Sequence, residues 1–319
     1  MSKIAFLFPG QASQYPGMGR DLDANFPESH AIFEEADEAL GFPLSKLCFE
    51  GPEEELKLTA NTQPAILTVS VAAYRALEKH GVTPDMVAGH SLGEYSALVA
   101  AGALAFSDAV KLARRRGQYM QEAVPAGEGA MAAILGLSPS DVVEICKKAA
   151  GNEVVSAANL NSPDQIAISG HAGAVKRAVE IASQSGAKRA VMLAVSAPFH
   201  CALMLPAQQR FEADLRATKF SAPRFPVITN VDAEATETGD EAREALIRQV
   251  SSPVRWLESV REMIDQGVNI FVEVGPGKVL LGLLRQIDRS VRGFNVEDSA
   301  GLQAALDKVA QARAEVADT

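Results

Sequence analysis

Apolar positions along the chain follow two alternating rhythms. Short apolar runs closed by Pro, Gly or a turn, such as Ile4 to Phe8 and Asp85 to Ala88, predict buried strands. Longer stretches with apolar residues every three to four positions, Pro27 to Leu40, Thr62 to Lys79 and Asp108 to Val124, predict helices. The segment from Leu92 to about Ala101 is alanine-rich and suits a helix buried on most faces. Such alternation belongs to the α/β class, a mostly parallel sheet covered by helices.

The rhythm changes between Gly127 and Ser196. Strands at Ala130 to Leu135, Val154 to Asn159, Gln165 to Ser169 and Ala190 to Val195 are separated by a helix opened by Ser138-Pro139, a turn at Asn161 to Asp164, and a helix from Ala172 to Ser185 that Gly186 closes. The order β-α-β-β-α-β is that of a ferredoxin-like subdomain. The first pattern then resumes with Val227 to Val231, a helix near Glu241 to Val250, and Asn269 to Val274. Residues 127–196 therefore read as an insertion between two parts of one core, 1–126 and 197–319, with a loosely held tail after about Ala310.

Composition narrows the class. With 47% hydrophobic and 22% charged residues the chain is globular rather than disordered. Its apolar runs are too short for a bilayer span, and the first is stopped by Pro9 and Gly10, so neither a membrane protein nor a signal peptide is expected. Three scattered cysteines, Cys48, Cys146 and Cys201, lack metal-ligand spacing and suit a reducing, cytoplasmic setting. A formal net charge of −10 argues against nucleic acid and requires any acidic partner to find a local basic patch.

The chemistry concentrates at Gly89-His90-Ser91-Leu92-Gly93. This is G-x-S-x-G between a strand and a helix, the context in which a sharp turn lifts a serine hydroxyl above a helix start. The alternative is a serine N-cap between incidental glycines. Of the five histidines, His30 and His80 read as solvated, His171 as a helix cap, and His90 as support for the turn. His200, in Pro198-Phe199-His200, sits on a proline-stiffened loop that suits a base, although a satisfied half-buried imidazole has the same signature. Cys201 beside it reads as a packed thiol, and Asp214 as solvated. With no aspartate singled out, either a backbone carbonyl or an amide side chain would orient the imidazole. Gly10-Gln11 follows the first strand as either an ordinary loop or an oxyanion donor. Gly275-Pro276-Gly277-Lys278 lacks phosphate-loop spacing.

In combination, Phe8 to Gln14, Thr62 to Ala65, Ala88 to Tyr95, Arg116-Gly117, Asn159 to Pro163, Pro198 to His200 and Glu273 to Gly277 give the chain a specific likeness. It resembles bacterial malonyl-CoA:acyl carrier protein transacylases and, more broadly, the acyltransferase domains of fatty acid and polyketide synthases. The resemblance implies an α/β-hydrolase-like core with the ferredoxin-like insertion, and malonyl transfer from malonyl-CoA to acyl carrier protein for fatty acid biosynthesis, through an ester on Ser91. It implies His200 as general base, the backbone N–H groups of Gln11 and Leu92 as oxyanion hole, Arg116 as the malonyl-carboxylate ligand, and the Gln249 carbonyl as the group orienting His200. No metal or other cofactor is implied, and a cytoplasmic monomer is expected. Many bacterial relatives have serine before the histidine, where this chain has Phe199, as malonyl-selective synthase domains do.

Arg114, Arg115 and Arg116 are consecutive on a helix and turn about 100° from one to the next, so only one can face a given pocket. The other two, with Lys111, are candidates for a basic patch or simply a solvated face. A hydrolase with the same serine turn, or a carrier-binding module that has lost catalysis, are the rival readings.

Overall fold

The computed structural model describes residues 2–195 and 197–317. Among the described residues ten strands form two sheets: β1 (Lys3–Phe8), β2 (Met86–Gly89), β3 (Gly129–Leu135), β4 (Val155–Ser162), β5 (Gln165–His171), β6 (Arg189–Met192), β7 (Val227–Ile228), β8 (Ala235–Thr236), β9 (Val268–Val274) and β10 (Arg292–Val296). The larger sheet runs β10-β9-β1-β2-β7-β8, parallel throughout except for the β7–β8 edge. The smaller runs β4-β5-β3-β6 and is antiparallel. The chain is thus mixed α/β, as the two rhythms predict.

Alternation along β1 shows why the larger sheet is buried on both faces. Ile4, Phe6 and Phe8 pack under the helices Pro27–Leu40 and Thr59–Lys79, whereas Ala5 and Leu7 face Trp256, Val260 and Leu284 on the other side. The smaller sheet has its own core, in which Ala132, Ile134 and Ile168 meet Val142, Ile145, Val175 and Ala178 from the helices Pro139–Ala150 and Ala172–Gln184. Every residue of the helix Gly93–Ala100 is buried, as its alanine-rich sequence predicts.

Several expectations are revised. The strand expected over Val227 to Val231 ends at Ile228, because Thr229 turns back to bond Glu234 and free the Asn230 side chain. β6 stops at Met192 instead of Val195. The helix Ser299–Ala317 runs through the region expected to be a loose tail, while 318 and 319 lie outside the described residues, as does the expected boundary at Ser196. Asp214 is not solvated: its side chain is 16% exposed and paired with Arg115. No described helix is long and apolar enough to cross a membrane.

Candidate active site

β2 ends at Gly89, and the chain must reverse within three residues to start the helix Gly93–Ala100. Ser91 makes that reversal with φ 52, a left-handed conformation that a non-glycine residue holds only when its surroundings enforce it. The flanking glycines are required by contact. A Cβ at Gly89 would lie 1.8 Å from the Gly93 carbonyl carbon, and one at Gly93 would lie 2.0 Å from the Phe8 oxygen. Gly10 approaches just as closely, its missing Cβ 2.5 Å from the His90 oxygen, which brings the Gln11 backbone beside the serine. Among the described residues, the backbone N–H groups of Gln11 and Leu92 have no hydrogen-bond partner. They are therefore free to donate to an oxyanion beside the positive end of the helix.

His200 comes from the loop after the smaller sheet and also has positive φ, 58. Its Nε2 lies 2.7 Å from Ser91 Oγ, and its Nδ1 lies 3.0 Å from the Gln249 carbonyl oxygen. A carbonyl only accepts, so Nδ1 carries the proton and Nε2 is left to receive one from the serine. The choice between a carbonyl and an amide side chain thus falls to the carbonyl. Burial, reinforced by the Arg116 charge and opposed by the Gln249 bond, pushes the imidazole down from 6.5 to about 3.

Arg116 alone of the three arginines turns inward, 1% exposed. It donates to Gln63 Oε1 at 2.8 Å, Gln249 Oε1 at 2.9 Å and Ser91 Oγ at 3.1 Å. Burial lowers its pKa, yet among the described residues no carboxylate pairs with it directly. A buried guanidinium held by neutral oxygens is a strong receptor for an incoming carboxylate. Arg115 is paired with Asp214, whereas Arg114 is held only by the neutral oxygens of Ala60 and Asn61 and keeps its charge, and Lys111 is exposed.

The remaining histidines serve other ends. His90 bonds Asn161 Oδ1 at 2.9 Å and stands edge-on to Trp256, behind the serine turn. His30 is exposed beside Asp23, and His80 bonds the Ala76 carbonyl. His171 heads a helix by position, but its ring accepts from the Val154 N–H instead of capping. Cys201 is buried, its thiol bonded to the Pro198 carbonyl. At Gly277 the backbone N–H already bonds the Glu297 carboxylate, which removes the loop as a phosphate cradle.

Ser91 and His200 open into a cavity of about 780 Å³, whose walls include Gln11, Met131 and Leu193. A second groove, of about 830 Å³, is lined by Arg285, Arg289 and Phe294 and contains neither Ser91 nor His200. Sequence reasoning missed four contributors: Gln63, Glu94, Asn230 and the side chain of Gln249. The first two lie within motifs already singled out. Asn230 fell inside the strand expected over Val227 to Val231, and only the early end of β7 places it at the strand's carboxyl end.

Residues 5–318 match the family described as "Acyl transferase domain". The chain is 51% identical over 308 residues, 96% of its length and 97% of the other's, to the malonyl CoA-acyl carrier protein transacylase of Bacillus subtilis (strain 168). An acyl carrier protein S-malonyltransferase from Vibrio cholerae O1 superposes with a TM-score of 0.94 at 49% identity, over 95% of this chain and 100% of that one. A malonyl-transacylase solved in complex with its type II PKS acyl-carrier protein superposes with 0.94 at 46% identity, over 96% and 100%.

Proposed function

The chain belongs to the acyl transferase domain family, and from that premise we propose that it moves a malonyl group from malonyl-CoA to the phosphopantetheine thiol of acyl carrier protein, for fatty acid biosynthesis, with Ser91 as the carrier of the acyl group. One observation carries the site assignment. Ser91 Oγ is bonded at once to an imidazole able to take its proton and to a buried guanidinium that, among the described residues, no carboxylate pairs with directly.

In the first half-reaction His200 Nε2 takes the Ser91 proton as Oγ attacks the thioester carbonyl. The oxyanion is held by the N–H groups of Gln11 and Leu92, each worth roughly 3–4 kcal/mol. Collapse breaks the carbon–sulfur bond, and the departing CoA sulfur takes the proton back from His200. In the second half the pantetheine thiol gives its proton to the same nitrogen and attacks the ester. Collapse then returns the proton to Ser91 Oγ. Arg116 holds the malonyl carboxylate by two charge-assisted bonds throughout, which a neutral acetyl group cannot engage. The Gln249 carbonyl keeps His200 in the tautomer that the cycle needs.

The finer reading of the architecture is an α/β-hydrolase-like core, 1–126 and 197–319, with a ferredoxin-like insertion at 127–196, acting as a cytoplasmic monomer. The strand order β4-β5-β3-β6 supports the insertion. Incubation with labelled malonyl-CoA should label wild type and leave Ser91→Ala unlabelled. Adding carrier protein should move the label to it rather than release free malonate. Label persisting on Ser91→Ala would remove the serine from its role, and release of malonate alone would make the protein a hydrolase.

A further inference from the structure

The side-chain amide of Gln249 has two ends that cannot be exchanged. Its Oε1 accepts from Arg116, while its Nε2 donates to the Ser91 carbonyl at 2.9 Å, to Glu94 Oε2 at 2.8 Å and to Asn230 Oδ1 at 3.3 Å. Reversed, the amide would set N–H against the guanidinium N–H and oxygen against three acceptors. Glu94 also accepts the Asn230 backbone N–H at 2.9 Å. The Asn230 side chain in turn clamps the serine turn from both sides, accepting from the Ser91 N–H and donating to the Gly89 carbonyl, each at 2.7 Å. Glu94, Asn230 and Gln249 are all buried, at 1% exposure or less. Partners that cannot reach water must satisfy one another, and so hold a single arrangement.

We propose that Glu94 is a positioning residue for acyl-group selection: by accepting from Nε2 it keeps the Gln249 oxygen on Arg116, and so keeps the guanidinium aimed at the acid group of the substrate. It touches neither Ser91 Oγ, His200 nor the cavity wall, and acts through the two groups it accepts from, the Gln249 amide that holds Arg116 and the Asn230 N–H. The proposal rests on malonyl being the acyl group carried.

The test is the rate of loading Ser91 from malonyl-CoA and from acetyl-CoA, with thermal melting followed in parallel. Wild type loading malonyl in preference is the arm that tests the functional reading itself. Glu94→Ala is expected to lower malonyl loading about ten- to a hundredfold more than acetyl loading, the effect of losing one charge-assisted contact. Glu94→Gln should restore most of the ratio, since its oxygen can accept from the same two donors. Should Glu94→Ala fail to fold, Gln249→Leu gives the same reading. It spares the backbone carbonyl on His200, removes the amide, and should lower malonyl loading about tenfold or more relative to acetyl. A purely structural role would lower both loadings in step. Equal losses for the two acyl groups, or Glu94→Gln behaving like Glu94→Ala, would overturn the proposal.

Discussion

Lowering the pH below the ordinary range of histidine should leave acylation of Ser91 almost untouched. An imidazole at its ordinary 6.5 would be only about 3% neutral at pH 5, and the rate would fall about thirtyfold. His200 is buried, faces the Arg116 charge, and is pushed down to about 3, so about 99% of it remains a base at pH 5. The assay is single-turnover acylation by malonyl-CoA between pH 4.5 and 8, with circular dichroism recorded at each pH. Any acid limb that is seen above pH 5 belongs instead to Glu94, which burial raises to about 7 and which bonds Gln249. Such a limb should vanish in Glu94→Gln. An acid limb near 6.5 that persists in that variant would refute the reasoning about His200.

Stability must be kept apart from rate in this range. Below 6.5 the unfolded chain binds a proton that folded His200 refuses, which costs about 1.4 kcal/mol per pH unit. Glu94 and Glu273 act oppositely. Burial raises both to about 7, so between 7 and 4.5 the folded state binds protons that the unfolded chain does not. Burial lowers His90 as well, so two buried histidines stand against two buried carboxyls, and the circular dichroism recorded at each pH separates unfolding from loss of rate.

Replacing Arg116 by Ala should cost malonyl loading about 2–5 kcal/mol in transition-state stabilisation while affecting acetyl loading much less, and Arg116→Lys should recover little, as paired loading rates would show. Gly89→Ala, with its Cβ forced to 1.8 Å from a backbone carbon, should lose more than about 4 kcal/mol or fail to fold, read by yield and thermal melting. Arg115→Ala breaks an ion pair whose arginine is 55% exposed, and should shift stability by about 1 kcal/mol or less with loading unchanged.

What the chain dictated by itself was local. Periods of two and of three to four residues separated strands from helices, and the all-buried helix Gly93–Ala100 was evident from its alanines. The glycines around Ser91 announced a close backbone approach, because only a residue without Cβ permits it. Three consecutive arginines could be known to diverge, since a helix turns them apart, but not which one enters the protein. Tertiary structure alone decided the rest. It brought Ser91, Arg116, His200 and Gln249 together, though up to 158 positions separate them. It paired Arg115 with Asp214, drew in Asn230 from a strand that ends early, and gave Glu94 a use that its place one turn past the serine did not reveal. The physical reason is that the backbone hydrogen bonds of helices and turns join sequence neighbours, whereas side-chain bonds between segments, burial, and the pKa shifts that follow from it depend on which distant segments pack together and exclude water.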